Sequence, residues 1–231
     1  MAGAGRAGKE CDQHAFVERG KGAYLDIYEP DYIPQDGNAL VALFGISNAE
    51  RTKRVNETLC RESWSPWGAA LLSKEKPHTR KGAKTISPVS STYEAEERFL
   101  SGAGESALEL MRRVWGTMLQ KGAETFWEFA PNDGDIRWDI PSHAWSSGCT
   151  YLLSAYVLGV RPAAPGYEKI LFAPCGSFDG VLGVVPTPKG LVAVRGETVD
   201  DGIEHFTLTA PKGIEIESKL PDNATLTQTY Y

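Results

Sequence analysis

The chain has 231 residues with a formal net charge of -6, 42% hydrophobic and 10% aromatic content, enough apolar side chain for one domain or two small ones. The acidic balance argues against a phosphate-tracking surface, so no nucleic-acid partner is expected, and no apolar run is long enough to cross a bilayer, so no membrane partner is expected either. Cys11, Cys60, Cys149 and Cys175 are scattered without CxxC spacing, which excludes a zinc site and a small disulfide scaffold; no metal and no cofactor is expected.

In chain order, residues 1–31 are Gly-rich and charged, lack the apolar h-region of a signal peptide, and read as a loose tail. Asp36-Gly37-Asn38 predicts the cap of a short helix through Ala39, Leu40, Val41, Leu43, Phe44 and Ile46, apolar nearly all round and therefore buried. Asn48 opens a second helix, with Glu50 and Arg54 on its wet face and Val55, Leu59 and Cys60 on the other, so the two form an antiparallel hairpin. Lys74, Lys76, Arg80, Lys81 and Lys84 mark a solvated loop. Ser87-Pro88 starts the next helix with a hydroxyl cap and a first-turn proline, and Gly102 ends it. "GESALELMRRVWGTMLQKG" returns as a helix with Ala107, Leu108, Met111, Trp115, Met118 and Leu119 on one stripe. "SHAWSSGCTYLLSAYVLG" follows, with Ser142 as cap, Gly159 as stop, and Trp145, Cys149, Leu152, Leu153, Tyr156 and Val157 facing the core.

After Gly159 the apolar period changes from 3.6 to 2. "GLVAVRGE", "GIEHFTLTA" and "GIEIESKLP" alternate apolar and polar positions between turns and predict an antiparallel sheet with one wet face, folded as a small sandwich on the helices. Asn56-Glu57-Thr58 and Asn223-Ala224-Thr225 match the glycosylation sequon, a short and weak pattern.

Between the last two helices, "AETFWEFAPNDGD" sets Glu128 between Trp127 and Phe129. Two readings compete: a loop whose aromatics pack inward while Glu128 points to water, and a working carboxylate tuned by apolar flanks, since desolvation raises a carboxyl pKa. Loops between inward-packed helices are where a helical scaffold exposes its site residues.

The segments "YIPQDGNALVALFGI", "WSPWGAALLSKEKP", "ISPVSSTYEAEERFLSG", "ALELMRRVWGTML", "ETFWEF", "SHAWSSGCTYLLSAYVLGVRP" and "VPTPKGLVAVRG", in this order, resemble the α-L-rhamnosidase family of glycoside hydrolases, and more narrowly the C-terminal part of its fungal-type six-hairpin members (family 78). The resemblance implies part of an (α/α) toroid over residues 32–159 and a β-sandwich over 160–231, with rhamnose-containing glycosides as substrates. It also implies inverting hydrolysis by two carboxylic acids, one protonating the leaving oxygen and one activating water. On the family's "TFWE" segment the general base matches Glu128; on its "HGWS" segment a sugar-contacting histidine matches His143; Trp127 and Trp145 match aromatics near the pocket, where indole packs on pyranose C–H faces.

Two departures accompany the matches. The family's "HGWSTGPT" reads "HAWSSGCT" here, so Ala144 stands for a glycine and Cys149 for a proline. The acidic motif that carries the family's general acid has no counterpart in Met1 to Asp31, where Asp26, Glu29 and Asp31 have other spacing. The expectation is therefore a glycosidase module supplying the base half of a site, partnered by a separate N-terminal half or by self-association; the alternative is a non-catalytic paralogue with a carbohydrate-binding or purely structural role.

Overall fold

In a computed structural model, the structure describes residues 21–26, 32–74, 85–131, 141–175, 180–199 and 202–231. They divide between two compact units, Met1–Cys149 and Thr150–Tyr231. The basic run beyond Lys74, Cys11, and the parts of the expected tail at 1–20 and 27–31 lie outside the described residues. The rest of that tail is packed: Ala23, Tyr24 and Leu25 are buried in a cluster with Ile33, Val55 and Leu59.

The first helix, α1 (Gln35–Leu43), begins three residues earlier than Asn38 and has no side-chain cap. Asn38 is instead buried inside it, where its amide accepts from Tyr24 N at 2.8 Å and donates to Tyr24 O at 2.9 Å and Pro34 O at 2.7 Å. Asn38 thus stands in for a neighbouring backbone strand and draws 21–26 onto the helix. The apolar face is less enclosed than its composition implies: Leu40, Val41 and Leu43 are half-buried, and Phe44, past the end of the helix, is 71% exposed.

Helix α2 (Ala49–Glu62) starts where Asn48 accepts from Arg51 N at 2.9 Å, with Glu50 and Arg54 paired at 3.5 Å on its outer face. Its buried Asn56, the first sequon residue, donates to Glu97 Oε1, so the folded chain does not present it as an acceptor; Asn223 of the second sequon is exposed. A hairpin of β1 (Trp64–Ser65) and β2 (Gly68–Ala69) leads through an Ala70–Ile86 bridge to β3 (Thr85–Ile86). Ser87 then caps α3 (Pro88–Leu100), Pro88 fills its first turn, and Gly102 follows at φ +83°.

The return helix is α4 (Gly104–Met111), a π-helical turn Arg112–Gly116, and α5 (Thr117–Gln120). Ala107, Leu108, Met111, Trp115 and Met118 are buried as expected, and so are Leu110 and Val114; Leu119, beside the closing turn, is 74% exposed.

A charged network fills the space between α1, α2 and α3. Glu94, fully buried, receives Arg98 Nη2 at 2.6 Å, Arg98 Nε at 3.0 Å, Trp64 Nε1 at 2.8 Å and Gln35 Nε2 at 2.7 Å. Arg98 also donates to Asn56 O and Ser106 Oγ, and its guanidinium lies 4.7 Å from the Trp64 ring centroid. Each buried charge therefore has a counter-charge and hydrogen bonds, the condition under which such burial is tolerated. Beside it, burial pushes the Glu97 carboxyl above its ordinary pKa, against the lowering effect of Ser101, Arg98 and Asn56.

The segment after 141 begins as a 3-10 turn, Ala144–Ser147, with exposed Ser142 making no cap, and continues as α6 (Gly148–Leu152) and a π-helical turn, Leu153–Val157. Cys149, Leu152, Tyr156 and Val157 are buried, whereas Trp145 is 78% exposed and Leu153 also faces out. The expected core stripe assumed 3.6 residues per turn throughout; the 3-10 start, at 3.0, takes Trp145 off it. Gly159 ends the helix at φ +75°, and a Cβ there would meet Pro174 N at 2.3 Å, so only glycine admits this approach of the chain to itself.

The second unit holds two sheets. Strands β5 (Val160–Pro162), β6 (Lys169–Phe172) and β10 (Glu215–Ser218) form one in the order β10-β6-β5. Strands β7 (Gly180–Thr187), β8 (Gly190–Thr198), β9 (Glu204–Ala210) and β11 (Ala224–Tyr230) form the other in the order β11-β9-β8-β7. Inward residues of both, among them Ile170, Phe172, Val192, Val194, Phe206 and Leu208, share one core, with the Phe172 and Phe206 rings edge-on at 5.7 Å. The sheets are mixed rather than antiparallel throughout: β10 runs parallel to β6 and β11 parallel to β9. The cause is connectivity, since the chain leaves β9 for the other sheet as β10 and returns as β11, and a crossover brings a strand back in the same direction.

Candidate functional site

The loop after α5 carries Trp127 and Glu128, and two sets of backbone contacts fix it. Downstream, β4 (Ala130–Pro131) pairs with β3, Ile86 opposite Ala130, which ties the loop to the β1–β2 hairpin through the Ala70–Ile86 bridge. Upstream, Phe126 O accepts from His143 N at 2.7 Å, and Thr125 Oγ1 donates to Pro141 O. The two segments singled out in the sequence, "TFWE" and "HAWSS", thus lie side by side, with Glu128 two residues from the bond that joins them.

The four candidate residues differ in what they present. Trp127 is 6% exposed and belongs to the core beneath the loop, while Glu128 is half-buried. His143 is half-buried on extended backbone, φ -144°, immediately before the 3-10 turn. Trp145, largely exposed, meets the His143 ring edge-on at 5.9 Å between centroids. His143 and Trp145 therefore form one surface, and Trp145 offers the open ring face. Tyr167 is the sole non-glycine residue at positive φ among those described, so Ala144 occupies ordinary backbone that its methyl does not strain.

Other residues shape the site, and none of them carries a functional mark in the sequence. Trp115, read there as core stripe, donates Nε1 to Ser146 O at 2.8 Å. Gly148 lies so close to α3 that a Cβ would fall 2.1 Å from Thr92 Oγ1. Among the described residues no group of three or more His, Cys, Asp or Glu is placed to hold a metal ion, and no helix is long and apolar enough to cross a membrane.

A cavity of about 850 Å³ opens elsewhere in the same unit, lined by Leu43, Thr52, Asn56, Glu97, Arg98 and Ser106 among others and by none of the four candidates. It sits at the far end of α3, which starts beside β3 and runs 13 residues, on the order of 20 Å. Its floor is the charged network that packs the helices together, and the chemistry suggested by the sequence lies at the other end.

Residues 159–229 match the model of the bacterial alpha-L-rhamnosidase C-terminal domain. A helical unit leading into a two-sheet unit that matches this model makes the chain similar to α-L-rhamnosidases. Its relationship is to family GH78, whose C-terminal part the chain resembles. Among solved structures it is similar to the GH78 rhamnosidase of Bacillus sp. GL1, 27% identical with a TM-score of 0.75 over 96% of this chain and 23% of that one. It shares the fold of the native α-L-rhamnosidase of Aspergillus terreus, at 16% identity, a TM-score of 0.68, and 92% and 24% coverage. The same holds for the Streptomyces avermitilis α-L-rhamnosidase solved with L-rhamnose, at 15% identity, a TM-score of 0.60, and 83% and 18% coverage. The chain thus spans less than a quarter of the length of these relatives. No curated protein matches it.

Proposed function

We propose that this chain is a glycoside hydrolase module of the α-L-rhamnosidase type, contributing Glu128 as general base to the inverting hydrolysis of terminal α-L-rhamnose in rhamnose-containing glycosides. The observation that carries the reading is the Phe126–His143 backbone bond, which brings the base and sugar-contact segments together. In this reading Glu128 takes the proton of a water attacking the anomeric carbon, His143 hydrogen-bonds the sugar, and Trp145 stacks on a C–H face of the pyranose. Trp127, buried below, holds the loop. An inverting site leaves ~6.5–9.5 Å between base and acid for that water. The acid is assigned to a part of the catalytic domain supplied from outside this chain, and the helices to a sector of an (α/α) toroid that such a part, or self-association, would complete. The two sheets with their shared core form the sandwich domain, and the family match beginning at residue 159 supports a boundary there.

The test is titration of the chain with L-rhamnose followed by amide and indole NMR. Resonances of Glu128, His143 and Trp145 should shift together; Glu128→Gln should keep binding, because the amide retains shape and an acceptor oxygen, and His143→Ala should weaken it. The chain alone should release little rhamnose from a natural glycoside, since general acid catalysis typically contributes ~10²–10⁴-fold. Rhamnose that leaves all three residues unmoved would replace this reading with that of a non-catalytic relative whose role is structural.

A further inference from the structure

The buried bond from Trp115 Nε1 to Ser146 O, 2.8 Å long, joins the middle of the return helix to the turn that carries Trp145. Trp115 lies within the π-helical turn Arg112–Gly116, a geometry found mostly as single insertions in helices and often near functional sites. Ser146 is fully buried and its own hydroxyl has no hydrogen-bond partner among the described residues, so its carbonyl is the side of the residue that the fold engages. An indole N–H only donates and points along a fixed direction of a rigid ring. The neighbour of Ser146 in sequence, Trp145, is largely exposed and touches the His143 ring edge. The direction in which Trp145 faces is therefore set from behind, at Ser146.

We infer that Trp115 is a positioning residue for the His143–Trp145 surface, its indole N–H fixing the 144–147 turn so that Trp145 presents its ring to a pyranose. The inference rests on the reading of that surface as a sugar contact, and it adds a residue that touches no sugar. Removing the donor while keeping an aromatic ring, Trp115→Phe, deletes the buried bond to Ser146 O and frees the turn to shift.

The experiment labels the chain with 5-fluorotryptophan and compares wild type, Trp115→Phe, and, as a control, Trp67→Phe, whose ring lies 5.8 Å from Lys121 Nζ. The ¹⁹F resonance of Trp145 should move or broaden in Trp115→Phe and stay put in Trp67→Phe, and L-rhamnose should bind Trp115→Phe roughly three- to thirty-fold more weakly than wild type. A Trp145 resonance and a rhamnose affinity unchanged in Trp115→Phe would overturn the inference even with sugar binding intact. If wild type binds no rhamnose while the Trp145 resonance still moves in Trp115→Phe, the positioning role stands and the sugar reading falls. If Trp115→Phe does not fold, hydrogen exchange in wild type decides: the Trp115 indole proton should exchange slowly, and fast exchange would remove the bond and the inference with it.

Discussion

His143 donates its backbone N–H to the carbonyl of Phe126 at 2.7 Å, so the first residue of the "HAWSS" segment is registered against the residue two places before Glu128. That bond is made between backbone atoms, and it leaves both side chains free to vary without loss of the pairing. What the side chains then do differs sharply between the two tryptophans beside it.

Trp127 and Trp145 should separate stability from recognition. Trp127→Ala removes a buried ring and should cost ~3–5 kcal/mol in urea unfolding. Trp145→Ala removes an exposed one, should change stability by no more than about 0.5 kcal/mol, and should abolish L-rhamnose-induced shifts at His143. Equal stability losses in the two variants would show that Trp145 packs rather than presents a surface.

Gly148→Ala tests the approach of the turn to α3. The backbone there is helical, so the added methyl brings no conformational strain, only a clash with the Thr92 side chain, whose Oγ1, Cγ2 and Cβ lie 2.1, 2.4 and 2.8 Å from the new atom. Overpacking of this kind costs ~1–3 kcal/mol and should also perturb Trp145 fluorescence. A neutral thermal melt would show that the turn has room to retreat.

The Glu94–Arg98 pair should behave as a unit. Arg98→Met leaves a buried carboxylate with the Trp64 and Gln35 donors but no counter-charge, a change worth ~3–5 kcal/mol of destabilisation. Adding Glu94→Gln to the same chain should recover much of it, and a double-mutant cycle in chemical denaturation measures the coupling.

Glu97 should impose a pH dependence on stability. Its folded pKa lies above its ordinary value of about 4.5 because burial disfavours the charged form, so the native state holds the proton more tightly than the unfolded chain. The stabilisation is complete below the unfolded value and is lost as pH rises through the folded one. Glu97→Gln keeps an oxygen for the Asn56 amide and should flatten that decline in a series of urea melts between pH 4 and 8.

Local signals in the sequence carried far where one residue's chemistry decides the outcome. Asn48 and Ser87 start their helices through their own side-chain oxygens, Pro88 and Gly102 act through backbone torsions, and the alternation of Phe206 and Leu208 with Thr207 and Thr209 is fixed by the period of a strand. The order of motifs likewise marked the α-L-rhamnosidase relationship and singled out Glu128 and His143. What only the tertiary structure decided depends on neighbours distant in sequence. Asn38 offers a cap in isolation and becomes a partner for Tyr24 because that segment folds onto it. The mixed sheets follow from β10 coming between β9 and β11 in chain order while pairing in the other sheet, a matter of connectivity that alternation does not encode. Trp115 and Trp145 carry the same apolar label in a helical stripe, yet one is buried with its N–H on Ser146 and the other stands in water. The difference arises because a 3-10 turn and a π-helical turn shift the phase of two helices, and such shifts are settled by packing and by where a buried carbonyl finds its donor.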